Sequence, residues 1–481
     1  MKRVLSLLIA IAVIAPATLT VINASEDAPI KALFEGESHT AKLLKYMGAP
    51  VLSIRAESNY EYGVAVGEIF GGAYESAIPL IKAFLKSRGM NTGEAMEKAE
   101  RHASVLEKYY PEYLERLEGL SSSTGIGLLE LLTIKMAMPS MLTGCTTTAS
   151  APPATSDGQV YITWNFDGLC LLKLWIGQNL PILIMNDIPG CNKYITVSFM
   201  PLMGWDGLLN DKGLAFSGNT VATTDAGDGL TCMEIVCMAL ERCSNVHEVV
   251  ELMQSLPIFT SSAMSVYNLA YLWADAEGGI ASIECTHNYF AVNYGEDGIL
   301  AHTNHHQWLD RNLTGSFGRE DYPSSYIRFE RAWELLREYR GSIDLQVIKK
   351  IVSDNANGIT VLGREIGGSN SISCHHYGDP LQKTEGAPLG TALIDTLCSI
   401  IIEPKELIIH WCPGHPDRLP FIPIYCAKLL GGTGAEGSNL MTFWVYGSNK
   451  AIETIPLVGT AIKTIRMASI RTVKTILEIA G

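Results

Sequence analysis

Leu142-Thr143-Gly144-Cys145-Thr146-Thr147-Thr148 holds a chemically promising pair, a cysteine directly after a glycine. A thiol that attacks the carbonyl of the residue before it forms a thioester, and water then cuts the chain. Gly144 suits that step, since a residue without Cβ tolerates the tight turn that brings the thiol onto its own carbonyl. The cut leaves Cys145 with a free α-amino group of pKa about 7.7–8, near enough to neutral to serve as general base for its own side chain. Standing alone, Gly-Cys followed by small hydroxyl residues also describes an ordinary buried strand. Leu-x-Gly-Cys matches a lipoprotein acylation site too, but that signal follows an N-terminal apolar core directly, and Cys145 lies far too late.

Support comes from downstream. Trp164-Asn165-Phe166-Asp167 follows the turn-rich stretch Ala151-Pro152-Pro153 to Ser156-Asp157-Gly158. Two strands of a hairpin across that stretch bring Asp167 back towards Cys145. At these residues the sequence resembles the acyl-coenzyme A:6-aminopenicillanic acid acyltransferase family, penicillin acyltransferase-like N-terminal-nucleophile cysteine hydrolases, whose motif reads Gly-Cys-Thr-Thr and then Asn-Trp-Asp. Here Gly144-Cys145-Thr146-Thr147 and Asn165-Phe166-Asp167 match it, with Phe for Trp.

Further matches keep the family's order: Asn210-Asp211-Lys212-Gly213-Leu214 with Asn219, then Thr303-Asn304-His305, Ser325-Tyr326-Ile327-Arg328-Phe329-Glu330-Arg331, the small-residue stretch 391–401, and Cys412-Pro413-Gly414-His415-Pro416. Together they span about residues 50–416. The resemblance implies a four-layer αββα sandwich of the N-terminal-nucleophile hydrolase type, an α+β fold, cleaved between Gly144 and Cys145. It implies Cys145 as nucleophile, Asn304 in the oxyanion hole and Asp167 holding the new α-amine. Asn210 or Asn219 is expected to add a second donor, and Thr146 and Asn165 to border the site. One departure concerns the substrate: the family reads Ile-Cys-Arg-His on a late strand, where this chain has Ser373-Cys374-His375-His376. Imidazole carries a proton but lacks the rigid guanidinium fork, so His375 is expected to change recognition more than mechanism.

The elements that must position these residues change character along the chain. From Tyr60 to about Leu132 the apolar spacing is helical. After Cys145, short β-branched and aromatic runs read as strands over 159–165, 181–185, 194–201, 213–216, 268–274, 279–285, 290–293, 371–375, 391–401 and 406–411. Helical patterns at 230–256, 325–339 and 345–352 divide them. Runs of strands around blocks of helices predict layered sheets under helices. Residues 1–24, with Lys2-Arg3 before an apolar run, read as a signal peptide or membrane anchor, so the chain is expected to be exported or anchored with its catalytic part outside the cytoplasm. Segment 25–144 is then the small α-rich chain and 145–430 the large β-rich one, the two remaining associated; 431–481 is a linker and a basic amphipathic helix, docked on the body or lying on a membrane surface.

Composition narrows the function. With 50 acidic against 36 basic residues and a net charge of −14, the chain is a poor partner for nucleic acid, whose phosphates require clustered Lys and Arg. Eleven cysteines leave one unpaired in an oxidising compartment. No Cys-x-x-Cys occurs, and His302, His305, His306, His375 and His376 lack the usual helical ligand spacing, so no metal and no organic cofactor is expected. The expected activity is hydrolysis of a non-peptide amide C–N bond in a small molecule, through a thioester on Cys145. The alternatives are acyl transfer from a thioester or amide to an amine, and a non-catalytic envelope protein that kept the fold.

Overall fold

The computed structural model describes residues 41–46, 49–87, 89–137, 144–169, 182–198, 201–202, 207–260, 267–295, 297–358, 360–361, 364–365, 367–375 and 394–430. The expected leader, 1–24, and tail, 431–481, lie outside them, as does His376.

The order of elements begins with strands β1 (Ala41–Tyr46) and β2 (Ala49–Arg55). Four helices follow: α1 (Asn59–Ser87), α2 (Thr92–Tyr109), α3 (Pro111–Thr124) and α4 (Leu128–Ala137). Then come β3 (Cys145–Ser150), β4 (Tyr161–Leu169), β5 (Ile182–Asp187), β6 (Tyr194–Ser198), β7 (Leu209–Asn210) and β8 (Ala215–Ala222). Helices α5 (Cys232–Arg242) and α6 (Val246–Ser255) lead to β9 (Tyr267–Ala274), β10 (Ile280–Cys285), β11 (Phe290–Asn293) and β12 (Ile299–His302). After α7 (Pro323–Glu338) and α8 (Leu345–Val352) come β13 (Thr360–Val361), β14 (Arg364–Glu365), β15 (Ile394–Glu403), β16 (Ile408–Cys412) and β17 (Ile422–Tyr425).

Two sheets dominate, one of nine strands in the order β1-β2-β5-β6-β7-β8-β9-β10-β11, the other of six in the order β12-β3-β4-β15-β16-β17. They face each other where β3 and β4 meet β8 and β9, α7 and α8 cover the six-stranded sheet, and α1, α5 and α6 pack on the nine-stranded one. The chain is thus a mixed α+β protein with two sheets. Strands buried on both faces explain the weak alternation of the sequence: β3, β6, β8, β10 and β12 are buried at every position.

Two expectations need correction. The 230–256 pattern is two helices, because Cys243 leaves the helical region and Asn245 caps α6 by accepting the Glu248 N–H at 3.0 Å. Residues 371–375 form a turn, not a strand, with the Ser371 and His375 amides both donating to the Gly368 carbonyl. Residues 41–46, to which the sequence reading assigned no element, form strand β1, supported by its antiparallel pairing with β2. No single helix among the described residues is long and apolar enough to cross a membrane; two segments of α1, bent by 49°, pass together on composition alone. That helix contributes Ala65, Val66 and Tyr74 to the core.

Buried ion pairs fasten the helices before Gly144 to the body after it. Glu241 of α5 accepts from Arg116 Nη1 at 2.5 Å and Nη2 at 3.1 Å, from Tyr110 Oη at 2.5 Å and from Tyr194 Oη at 2.9 Å. Burial works against its charge, but Arg116 and these hydrogen bonds outweigh it and hold the carboxyl below the usual range. His102 Nε2 meets Glu234 at 3.0 Å, and Lys135 Nζ donates to Leu202 O at 2.8 Å. Glu241→Gln strands a buried guanidinium, so urea unfolding is expected to show a loss of about 3–5 kcal/mol; an unchanged midpoint would contradict this account.

Candidate active site

β3 is a run of β-branched threonines behind Cys145, which favours extended backbone. Its register with β4 pairs Cys145 with Phe166 and Thr146 with Asn165. Asp167 therefore stands opposite Gly144, and its N–H donates to the Gly144 carbonyl at 3.1 Å. Gly144 has φ 124°, a region that strains any residue with a Cβ.

The peptide joining Gly144 to Cys145 is held from both sides. The Cys145 N–H donates to Asn304 Oδ1 at 3.0 Å. Arg328, fully buried on α7, donates through Nη1 to the Cys145 carbonyl at 2.6 Å and to Thr146 Oγ1 at 2.7 Å, and through Nη2 to Asn304 Oδ1 at 2.8 Å. Its Nη1 lies 3.9 Å from Asp167 Oδ2. Asp167 accepts from Thr396 Oγ1 at 2.6 Å. The Cys145 thiol is pushed up to about 12, mainly by burial and then by the Asp167 charge; hydrogen bonds from Trp164 and the Asp167 amide, and the Arg328 charge, act the other way.

Side-chain alternation along β3 sends Cys145 and Thr147 to one face. Thr147 Oγ1 crosses to the other sheet and donates to Asn219 Oδ1 at 2.6 Å. The Asn219 amide nitrogen is buried with no hydrogen-bond partner among the described residues. Asn304 Nδ2, by contrast, donates to the Thr220 carbonyl at 3.0 Å. In the intact chain Asn304 thus holds the Cys145 nitrogen through its oxygen, and Asn219 has the spare donor. Asn210 is remote in role: its Nδ2 binds the Leu240 and Cys243 carbonyls and its Oδ1 takes the Lys212 and Leu214 amides, closing the 210–214 turn. Asn165 points to the helix layer, where Nδ2 binds the Val352 and Ile372 carbonyls. His375 pairs with Asp417 at 3.1 Å.

Two buried residues that hydrogen-bond into this region carried no role in the sequence reading. Arg328 lay inside a quoted motif, but only the fold shows that its helix ends over β3. Glu284 on β10 is buried and accepts from His302 Nε2 at 2.7 Å and from the amides of Gln307, Trp308 and Leu309 at 2.6, 3.0 and 2.8 Å. It thereby fixes the turn that presents Asn304, and nothing local in the sequence signals that.

The histidines of that turn each have their own partner: His302 has Glu284, His305 Nδ1 has Ser325 Oγ at 2.8 Å, and His306 Nδ1 has Thr314 Oγ1 at 2.7 Å. Burial, with a smaller push from His302, lowers His305 to about 3; burial lowers His306 to about 4 against the opposing pull of Glu284. The unfolded chain takes up these protons near pH 6.5 and the folded chain only near 4 or below. Stability is therefore full above 6.5 and falls as pH drops from 6.5 towards 4, by about 1.4 kcal/mol per unit for each ring. Thermal unfolding between pH 7 and 5 is expected to give a shallower slope for His306→Gln than for the unaltered chain; equal slopes would refute the assignment.

Residues 176–372 match the family described as acyl-coenzyme A:6-aminopenicillanic acid acyl-transferase, a family of enzymes. The chain is similar to it over the stretch that holds Asn219, Asn304 and Arg328, and the matched segment begins after Cys145 and Asp167. Among solved structures, the chain is similar to a mutant of the conjugated bile acid hydrolase from Clostridium perfringens, 14% identical, with 61% of this chain and 97% of that chain covered at a TM-score of 0.39. It is also similar to penicillin V acylase from Agrobacterium tumefaciens, 14% identical, with 62% and 93% covered at a TM-score of 0.36. No curated protein matches the sequence.

Proposed function

We propose that the protein is an N-terminal-nucleophile amide hydrolase that activates itself by cutting between Gly144 and Cys145. The observation that carries the reading is the clamped peptide: the Gly144 carbonyl on the Asp167 N–H and the Cys145 N–H on Asn304 Oδ1. A carbonyl already bonded to a fixed donor is polarised, and negative charge developing on its oxygen meets that donor without reorganisation. The thiol adds to the Gly144 carbonyl carbon, the C–N bond breaks, and the Cys145 nitrogen leaves as an amine after taking the thiol proton. Water then cleaves the thioester, releasing the Gly144 carboxylate and restoring the thiol.

The new α-amine stays against Asn304 Oδ1. The Arg328 cation disfavours its protonated form, keeping it available to take the thiol proton in later turnovers. A substrate amide then passes its acyl group to Cys145 Sγ, its amine leaves, and water regenerates the enzyme; the spare Asn219 donor is suited to the oxyanion. An amine in place of water gives acyl transfer by the same steps. We place the working enzyme outside the cytoplasmic membrane, on the strength of the 1–24 leader pattern. Intact mass and N-terminal sequencing of purified protein test the reading: two fragments, one starting Cys145-Thr146-Thr147 and releasing amine from simple N-acyl amides, are expected. A well-folded chain that stays whole would overturn it.

A further inference from the structure

Beside the catalytic strands lies a cluster that none of these steps uses, built by the 367–375 turn, the start of β15 and the turn after β16. His375 is fully buried, and its ring lies on that of His415 with centroids 3.9 Å apart and planes 8° from parallel. His375 Nε2 is 3.1 Å from Asp417 Oδ1, and His415 Nε2 is 2.9 Å from Asp395 Oδ1. Gly367, at φ 76°, leaves room for the first ring: a Cβ there would sit 2.3 Å from His375 Cδ2. A hydrogen bond between His375 and Asp417 and an ion-pair contact of His415 with Asp395 account for each pair separately. They do not explain why one ligating atom each from His375, His415 and Asp417 falls within 4.8 Å of the other two. Nor do they explain His375 Nδ1, buried with no hydrogen-bond partner among the described residues, an arrangement that ordinarily costs about 1–3 kcal/mol.

We propose that His375, His415 and Asp417 bind a divalent first-row transition ion of the zinc type, which ties the 367–375 turn to the turn after β16. Two imidazoles and a carboxylate, with a water as fourth ligand, form a donor set such ions favour. Asp395 on His415 supplies the outer carboxylate that fixes a ligating histidine's tautomer and orientation. Bonds of about 2.0–2.1 Å set tetrahedral ligands roughly 3.3 Å apart, so binding draws the three atoms together and turns the rings out of parallel. The ion stands next to the catalytic strands: Asp395 pairs with Gly168, and Thr396 pairs with Asp167.

The test uses the full chain carrying Cys145→Ala, stripped with chelator, so that the result does not depend on self-cleavage. Titration with cobalt(II) is expected to give visible tetrahedral d–d absorption saturating at one ion per chain, displaced by zinc. His375→Ala and Asp417→Asn are expected to abolish it, and Asp395→Asn, which keeps all three ligands, to weaken it roughly 10–100-fold. Absence of the absorption in folded protein overturns the proposal. So does absorption retained in His375→Ala, which would put the ion elsewhere, for example at the exposed His247–Glu251 pair. If His375→Ala fails to fold, unchanged cobalt affinity in Asp395→Asn overturns it as well.

Discussion

Cys145→Ala will leave the chain in one piece and reduce amide turnover to background, a loss on the order of 10⁶-fold, as expected when a nucleophile acting in a coupled set is removed. The substitution deletes one sulfur from a buried strand, so the fold should survive, with a stability change near 1 kcal/mol; intact mass and circular dichroism separate lost chemistry from lost structure. Self-cleavage in the unaltered chain should also depend on pH. With the thiol pushed up to about 12 by burial and the Asp167 charge, the reactive thiolate is scarce at neutral pH. Its population rises about tenfold per unit as pH climbs towards that value. Fragment appearance after refolding at pH 6 to 9 is therefore expected to accelerate with pH. A rate flat across that range would mean that thiol ionisation does not control the cut.

The second large effect belongs to Arg328. Its guanidinium touches the Cys145 carbonyl, Thr146 Oγ1 and Asn304 Oδ1, and lies 3.9 Å from Asp167. Burial pulls against its charge, but Tyr322, Asp167, Cys374 and Cys145 around it raise its affinity for the proton overall. Arg328→Ala leaves Asp167 buried without that countercharge and Asn304 Oδ1 without one donor, for a loss of about 3–5 kcal/mol in unfolding. Arg328→Lys keeps the charge but cannot reach three acceptors in one plane. It should stay folded, cut its chain at least 10²-fold more slowly by the measure of a lost fixed donor, and shift the pH profile of the slow reaction. Wild-type cleavage in a folded Arg328→Lys chain would remove Arg328 from the mechanism.

Much of this protein is a property of the sequence alone, because the relevant physics is local. The Gly144-Cys145 step, the β-branched run after it and the turn-rich hairpin to Asp167 are all within 24 residues (167 − 144 + 1), so propensity and spacing suffice to predict strands that bring the two ends together. The helical segment before Cys145 follows from apolar periodicity, and most of the strands after it from β-branched and aromatic runs. The roles of the asparagines were not legible. Asn210 and Asn219 are equivalent in a motif, yet one closes a turn and the other crosses to Thr147, because orientation depends on the neighbouring sheet. The same holds for Arg328, 183 residues beyond Cys145, for Glu284 under the Asn304 turn, and for His375 against His415. Burial removes water as a partner, so each such polar group must find its match across the fold; the chain order carries the residue types, and only tertiary packing decides which of them meet.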